Sequence, residues 1–243
     1  MSPISSVQRL LRLAVLVTGC LWAAQGLAAD NAAAVQKRFE SLFQGMPVDG
    51  VTQTPYGLYE VQVGGELLYT DEKVSYVLQG VLIDPATRTN VTSERQQQLS
   101  FVPFDQLPLE LAFVQTFGNG ARKMAVFEDP NCGYCKQMRH SLHELKDVTV
   151  YTFMLPILSP DSAAKVQAVW CAKDKAAVWD AWMLQGKAPA AASCNAPIDD
   201  LQALGRKLNV RGTPTTIFQD GSRASGAVPL AMLEQRLQEA AAP

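Results

Sequence analysis

Two cysteines, Cys132 and Cys135, stand three positions apart in the segment FEDPNCGYC, residues 127–135, which leads from a predicted strand into a predicted helix. A cysteine at the start of a helix faces free backbone N–H groups and the positive end of the helix dipole. Both features favour the thiolate, which is the nucleophilic form of the side chain. We therefore predict that Cys132 is exposed, acidic and reactive, and that Cys135, one turn further on, is buried and acts as the resolving thiol.

The two residues between the cysteines, Gly133 and Tyr134, are expected to set the local geometry and the reduction potential of the pair. Lys136 adds a positive charge next to it. A plain surface disulfide is the alternative interpretation of this spacing. The position of the motif at a strand-to-helix junction favours redox chemistry over a surface disulfide.

The N-terminal segment predicts export. Residues 1–29 begin with a basic stretch, contain no acidic residue and carry an apolar run over residues 13–24, which is short for a membrane-spanning helix. This pattern is typical of a secretory signal peptide, and we predict cleavage after Ala28 or Ala29. A lipoprotein signal with Cys20 as the lipidated residue ranks second, and an uncleaved membrane anchor ranks third.

Removal of the leader leaves four cysteines, and an exported protein can keep disulfides. Four cysteines allow three pairings. The close spacing makes Cys132 and Cys135 natural partners, which leaves Cys171 with Cys194. A zinc site is disfavoured because such sites usually contain two close pairs of cysteines, and Cys171 and Cys194 are far apart in sequence.

Composition excludes several classes of protein. The chain has 21 Lys and Arg against 23 Asp and Glu, so no basic surface for nucleic acid is expected. Hydrophobic residues make up 48% and charged residues 18%, which is typical of a chain that buries a core rather than of a disordered one. The sequence contains no phosphate-binding loop and no nucleophile elbow.

The first part of the mature chain predicts a small α+β domain over residues 30–90. It comprises a helix over residues 31–44 and an antiparallel sheet with strands at 59–63, 66–70, 74–78 and 81–83. Gly64 and Gly65 supply a two-residue turn. A domain of this size buries little apolar surface alone, so we predict that it forms a homodimer; docking on the rest of its own chain is the alternative.

The second part predicts an α/β domain of the thioredoxin type over residues 109–243, after a linker helix over residues 91–108. Predicted strands lie at 111–117, 123–127, 148–155, 215–219 and 222–226, and predicted helices at 132–145, 162–185, 201–208 and around Leu230, Leu233 and Leu237. The helices over about 160–208 form an insertion between the third strand and the last hairpin.

A second motif, Gly212-Thr213-Pro214, directly precedes the strand predicted at 215–219. Proline cannot donate to a sheet ladder, and a cis bond in a tight turn would suit this position. In thioredoxin-type domains the corresponding loop faces the two cysteines and lines the groove for an extended peptide. An ordinary loop proline is the alternative.

The chain resembles the periplasmic disulfide-bond isomerases of the DsbC type, and the resemblance covers the whole mature chain. The matching pieces are CGYC at 132–135, WCAKDK at 170–175, SC at 193–194 and GTP at 212–214. The WCAKDK string is far more specific than the two-cysteine motif. Gly133 favours this family over its sister family of the DsbG type, which carries proline after the first cysteine.

The resemblance implies a V-shaped homodimer whose arms end in thioredoxin-like domains around an uncharged cleft that holds misfolded exported proteins. It implies that Cys132 attacks wrong disulfides, that Cys171 and Cys194 form a structural bridge, and that a membrane reductase of the DsbD type keeps the active pair reduced. No metal or other cofactor is implied.

One position departs from the wider family. Thioredoxin has a buried acid six residues before its first cysteine, where this chain has Val126, and the nearest acidic residues are Glu128 and Asp129.

Three further functions are compatible with the sequence. They are a holdase-type chaperone without redox chemistry, a DsbG-like reductase and a DsbA-like oxidase.

Overall fold

The computed structural model describes residues 31–241, so the predicted leader and Cys20 lie outside the described residues. Two compact units are present; the first ends at Leu99 and the second begins at Ser100. Within residues 31–241, none of the helices combines the length and the hydropathy of a membrane-crossing segment.

The first unit contains a helix and a four-stranded antiparallel sheet with the strand order β1-β2-β3-β4. The elements are α1 (31–42), β1 (Val48–Gln53), β2 (Tyr59–Val63), β3 (Glu66–Thr70), β4 (Val77–Gln79), the short pair β5 (Ile83–Asp84) and β6 (Thr89–Asn90), and α2 (Val91–Leu99). Val35 and Phe39 of α1 pack against Tyr59 and Val61 of β2, which gives the sheet one buried face.

The predicted two-residue turn joins β2 to β3. Gly64 and Gly65 have φ values of 60° and 81°, a conformation that glycine adopts at low cost. Val63 consequently pairs directly with Glu66.

The strands of the first unit depart from the predicted ones. Of the strand predicted over 81–83, only Ile83 lies in a strand, β5. Strand β1 was not predicted, because Pro47 and Gly50, residue types that usually interrupt regular structure, flank its start. The strand predicted over 74–78 begins only at Val77, because Asp71 turns the chain first. The Asp71 carbonyl accepts from the Val74 N–H at 3.1 Å and its carboxylate accepts from the Ser75 N–H at 2.7 Å.

The second unit is an α/β domain with a five-stranded sheet in the order β11-β10-β8-β9-β7. Its strands are β7 (Phe113–Phe117), β8 (Arg122–Glu128), β9 (Val148–Met154), β10 (Thr215–Phe218) and β11 (Arg223–Ser225). Its helices are α3 (Gly133–Glu144), α4 (Ser162–Trp170), α5 (Lys175–Gln185), α6 (Ile198–Lys207) and α7 (Leu230–Ala240). Strands β8 and β9 are parallel, and α3 is the crossover that connects them.

Strand β8 is buried on both faces. Ala125 and Phe127 belong to one apolar cluster, whereas Met124 and Val126 belong to a second cluster that includes residues of α3 and α7. This alternation directs Met124 and Val126 towards the second cluster and their neighbours towards the first. Strand β8 ends at Glu128, and the turn that follows leads directly to the start of α3.

The single helix predicted over 162–185 is divided in two. Helix α4 ends at Trp170, and α5 begins at Lys175 after the N-cap residue Asp174. The Asp174 side chain accepts a hydrogen bond from the Ala177 N–H at 3.0 Å. The Asp174 side chain thus satisfies a backbone N–H in the first turn of α5, which fixes the start of a new helix at this point.

Candidate active site

The turn between β8 and α3 positions the first cysteine. Cys132 is the N-cap of α3, with extended backbone angles, and its sulfur accepts a hydrogen bond from the Cys135 N–H at 3.2 Å. The Cys132 N–H donates to the Asp129 carbonyl at 3.1 Å. The sulfur therefore occupies the place of a capping oxygen, at the positive end of the helix.

The loop before β10 meets this cysteine. The Thr213–Pro214 peptide bond is cis, and the Cys132 thiol donates to the Thr213 carbonyl at 3.2 Å. The CGYC and GTP motifs are thus in direct contact. Gly133, the first residue of α3, is exposed, as is Tyr134, which keeps 69% of its surface accessible.

The predicted exposure of Cys132 is wrong. Only 4% of its surface is accessible, and Cys135 is completely buried, as predicted. The sulfur of Cys132 turns towards the Cys135 amide and the Thr213 carbonyl rather than towards solvent. The contact with the loop before β10 lies 81 residues away in sequence, so local pattern could not reveal it.

Cys135 is held in its neutral form. Burial raises the pKa of the Cys135 thiol far above its usual range, and the negative charge of Glu128 raises it further. The interaction with Cys132 acts in the same direction. A thiol in this state is a poor nucleophile.

Glu128 is buried beneath the motif. Its Oε2 accepts from the Arg139 Nη2 and from the Trp179 Nε1, the latter at 2.9 Å. Both Glu128 and Arg139 are completely buried. The other carboxylate oxygen of Glu128 has no hydrogen-bond partner among the described residues. The carboxylate of Glu128 is the negative charge that acts on the Cys135 thiol.

Arg139 joins this carboxylate to a second acid. Its Nη1 donates to Gln115 at 2.7 Å, and its Nε lies 3.8 Å from an oxygen of Asp180. Asp180 in turn lies 2.9 Å from the His143 Nε2. Arg139 was not among the predicted site residues, although the signal was present: it lies on the buried face of α3 with Cys135, where a cation without a partner would be costly.

The completely buried carboxylate of Asp129 joins the active-site turn to the loop after β9. It accepts four hydrogen bonds, from the Asn131 N–H at 2.7 Å, the Ile157 N–H at 2.8 Å, the Leu158 N–H at 3.0 Å and the Ser162 hydroxyl at 3.0 Å. Its position two residues before Asn131 is typical of a side chain that organises a turn.

Positive charge lies next to the motif. The ammonium groups of Lys136 and Lys165 lie 4.5 Å and 4.6 Å from the centre of the Trp182 ring. The indole N–H of Trp182 donates to the Pro130 carbonyl at 2.6 Å. Lys165 also donates to the Asn131 side chain at 2.7 Å. Both cations are therefore fixed beside the segment that carries Cys132.

Cys171 and Cys194 form a disulfide with a Cα–Cα distance of 5.7 Å. It links the end of α4 to the segment before α6 and encloses α5. Cys132 and Cys135 are both free thiols. Within residues 31–241, no group of three or more His, Cys, Asp or Glu side chains is arranged to hold a metal ion.

Two family models match the sequence. Residues 26–93 match a model described as the disulfide bond isomerase protein N-terminal domain, and residues 109–241 match a model described as a thioredoxin-like domain. The two matches together span both compact units.

Several known proteins are similar to this chain. A Bordetella pertussis protein named "Probable thiol:disulfide interchange protein DsbC" is 57% identical over 207 residues, which cover 85% of this chain and 74% of the relative. The Escherichia coli K12 protein named "Thiol:disulfide interchange protein DsbC" is 29% identical, over 90% of this chain and 92% of the relative. The crystal structure of a disulfide interchange protein from Neisseria gonorrhoeae is 39% identical, with a TM-score of 0.54, over 56% of this chain and 100% of that chain.

Proposed function

This chain belongs to the DsbC family of thiol:disulfide interchange proteins, and we propose that it isomerises non-native disulfides of exported proteins in the periplasm. The observation that carries the proposal is the asymmetry of the two thiols. Cys132 caps α3 and contacts the Thr213 carbonyl, whereas burial and the charge of Glu128 raise the pKa of Cys135.

The reaction begins with attack of the Cys132 thiolate on one sulfur of a client disulfide. The client S–S bond breaks, a new S–S bond joins Cys132 to the client, and the second client sulfur leaves as a thiolate. If a client thiolate then attacks the mixed disulfide at the client sulfur, a new client disulfide forms and the Cys132 thiolate is regenerated. This route is isomerisation, because no net electrons are transferred.

The second route is reduction. Cys135 loses its proton and attacks the sulfur of Cys132, which releases the client as a thiol and leaves the protein pair oxidised. The raised pKa of Cys135 slows this step, because its thiolate is scarce. The mixed disulfide then has time to rearrange, which supports isomerisation. A membrane reductase of the DsbD type would return two electrons to the oxidised pair.

A homodimer is part of the proposal. Strand β4 is an edge of the four-stranded sheet, and large apolar side chains of the first unit are exposed, namely Leu42, Leu78, Val81 and Ile83. An unpaired edge flanked by apolar surface favours association with a second copy, and a two-fold arrangement closes such an interface. The match to the isomerase N-terminal domain supports the same assembly.

The proposed organisation of the chain follows from these roles. Residues 1–29 are a leader removed after Ala28 or Ala29, residues 30–90 form the dimerisation domain, residues 91–108 are a linker, and residues 109–243 form the catalytic domain. The boundary between the two compact units falls within the proposed linker. Helices α4 to α6 form the proposed insertion over about 160–208.

The test uses a secreted protein with several scrambled disulfides as the substrate. We expect the intact chain to restore its native pairing and the Cys132→Ala variant to lose this activity, whereas Cys135→Ser keeps part of it because isomerisation does not need the resolving thiol. If Cys132→Ala restores the native pairing as well as the parent, the redox role proposed for Cys132 is wrong.

The redox state of the pair in the cell separates an isomerase from an oxidase. Acid trapping of the exported protein, followed by alkylation, should find Cys132 and Cys135 largely reduced. A largely oxidised pair would instead indicate a DsbA-like oxidase. Suppression of client aggregation by Cys132→Ala at the parent level would show that the dimer has chaperone activity independent of its chemistry.

A further inference from the structure

Helix α3 carries Cys135, Arg139 and His143 at intervals of four residues. Residues four positions apart lie on the same face of a helix, about 6 Å from each other along its axis. The stripe therefore runs from the buried Cys135 thiol, through a completely buried cation, to a histidine whose side chain keeps 35% of its surface accessible. The proposed chemistry uses only the first of these three side chains.

Arg139 is shared between two carboxylates. Its Nη2 donates to Glu128, on β8, and its Nε lies 3.8 Å from an oxygen of Asp180, on α5. Gln115 forms a second connection to Asp180, because its side chain accepts from the Arg139 Nη1 at 2.7 Å and donates to Asp180 at 2.6 Å. Arg139 is therefore bound to Glu128 by a direct hydrogen bond, and to Asp180 by charge attraction and through an amide bridge.

His143 is the group that can change the charge of this network. Its Nε2 lies 2.9 Å from an oxygen of Asp180, and its ring packs edge-on against Phe117 of β7, with 5.4 Å between the ring centres. One guanidinium faces two carboxylates, so one negative charge is in excess while the imidazole is neutral, and none is in excess once it is protonated. Histidine is the side chain that ordinarily gains or loses its proton between about pH 5 and about pH 8.

We propose that His143 and Asp180 are positioning residues for the resolving step, and that protonation of His143 speeds the attack of Cys135 on the mixed disulfide. The negative charge of Glu128 raises the pKa of Cys135, and an excess negative charge in the same network acts in the same direction. A protonated His143 removes that excess, so the Cys135 thiolate forms more readily. The resolving step therefore slows less on acidification than it would in a network of fixed charge. This inference rests on the proposed function.

The other charged side chains on α3 and on the elements packed against it are engaged elsewhere or lie apart from the network. Strands β7 and β9 contain no Asp, Glu, Lys, Arg or His. On β8, α5 and α7, Lys123 lies at the opposite end of β8 from Glu128, Lys175 lies over Trp170, Glu234 bonds to Arg122, Arg236 lies over Phe218, and Glu239 bonds to Gln235. On α3 itself, Lys136 lies over Trp182, and His140 and Glu144 are exposed.

The test follows the two thiolates that are released when the reduced protein reacts with 5,5′-dithiobis(2-nitrobenzoate). The Cys132 thiolate first attacks the S–S bond of the probe, which releases one coloured thiolate and leaves a mixed disulfide. Cys135 then gives its proton to the buffer and attacks the sulfur of Cys132, which releases the second coloured thiolate and leaves the protein pair oxidised. The first rate depends on the probe concentration, whereas the second does not.

The readout is the rate of the second release at about pH 5.5 and at about pH 8.5, near either end of the range in which histidine titrates. His143→Gln is neutral at both pH values. It should match the parent at about pH 8.5 and be roughly threefold slower at about pH 5.5, as expected for one unit charge acting beyond a neighbouring side chain.

His143→Lys is charged at both pH values. It should match the parent at about pH 5.5 and be roughly threefold faster at about pH 8.5, because the cation is retained there. His140→Gln and His140→Lys are the matched controls, since His140 is exposed on the same helix. A substitution that only loosened the packing of α3 would not produce effects of opposite sign that each appear at one pH.

Asp180→Asn tests the carboxylate through which His143 acts. The substitution removes the negative charge that is in excess at high pH, so the second release should be roughly threefold faster than in the parent at about pH 8.5. The side chain of Asn keeps an acceptor for Gln115. Asp200→Asn is the control, because Asp200 is exposed in the first turn of α6.

The outcomes separate this proposal from the proposed function. If the parent gives no first release, or a second release whose rate rises with probe concentration, the proposed role of Cys132 or of Cys135 fails. If both releases occur as described and both His143 variants follow the parent at both pH values, the present proposal is overturned while the function stands. An equal shift in the His140 variants, a slower second release in Asp180→Asn at about pH 8.5, or changes confined to the first release would overturn it as well.

Discussion

The sulfur of Cys132 lies 3.2 Å from the carbonyl oxygen of Thr213, although 81 residues separate them along the chain. The contact joins the helix-capping cysteine to the loop that begins β10, and it removes the sulfur from solvent almost entirely. Reactivity at this position therefore depends on helix-terminal electrostatics in a nearly buried environment.

Replacing Glu128 by Gln should lower the pKa of Cys135, because the negative charge of Glu128 raises it. The amide keeps an acceptor for Arg139 and Trp179. In a Cys132→Ser background, thiolate absorbance should appear at lower pH in the Glu128→Gln variant than in the parent. Glu144→Gln is the control, since that carboxylate is exposed at the end of α3. Unchanged titration in Glu128→Gln would contradict the assignment.

The stability of the reduced protein should fall at high pH. Because the pKa of Cys135 is raised in the folded state, the unfolded chain loses this proton first, near pH about 8.5, and stability declines above that pH by up to about 1.4 kcal/mol per pH unit. Below that pH the contribution is fully present. Urea unfolding at about pH 7 and about pH 10 measures the decline, which should be smaller in Cys135→Ala. An equal decline in both proteins would assign it to other groups.

Replacing Asp129 by Ala should destabilise the second unit. Four donors lose their acceptor at a buried site, and a buried donor without a partner costs roughly 1–3 kcal/mol. Hydrogen exchange should locate the loss of protection at residues 157–162 as well as at the active-site turn. Asp129→Asn, which retains one acceptor oxygen, should be intermediate in urea unfolding. A loss of stability below a few tenths of a kcal/mol in the Ala variant would show that the loop is held by other contacts.

Removing the disulfide by replacing both Cys171 and Cys194 with Ala should lower stability by roughly 3 kcal/mol, as expected for a closed loop of 23 positions. The loss should appear in urea unfolding of the oxidised protein and disappear when both proteins are compared under reducing conditions. A double variant as stable as the parent would indicate that packing of α5 alone fixes this segment.

A fragment that begins at Ser100 should be a soluble monomer, because the second unit contains its own two apolar clusters. It keeps Cys132 and Cys135 and should reduce small disulfides. It should rearrange scrambled proteins poorly, since a client no longer meets two catalytic domains in one assembly. Light scattering and the two activity assays check these outcomes. A fragment that isomerises as well as the intact chain, or an intact chain that is a monomer, would show that the role given to the first unit is wrong.

Local signals in the sequence were sufficient for much of the fold. The alternation around Tyr59 and Val61, the Gly64-Gly65 turn and the apolar face of α3 each depend on residues only a few positions apart. For that reason the hairpin of β2 and β3, the strand-to-helix junction at Cys132 and the order of elements typical of a thioredoxin-like domain could be predicted. Competing local signals made the predicted helix boundaries less precise. Asp174, for example, caps a new helix inside a segment whose pattern is helical throughout.

The environment of the active site depended on contacts between distant segments. The pairing of Cys171 with Cys194 was predicted from the sequence, but it is the fold that brings the two sulfurs into bonding distance. The burial of Cys132 by the Thr213 loop, the pairing of Glu128 with Arg139 and the anchoring of Ile157 by Asp129 all result from the order of strands in the sheet and the packing of α3 and α5. Capping and periodicity act over one or two turns of chain, whereas desolvation and charge pairing are set by whichever residues the folded chain places together.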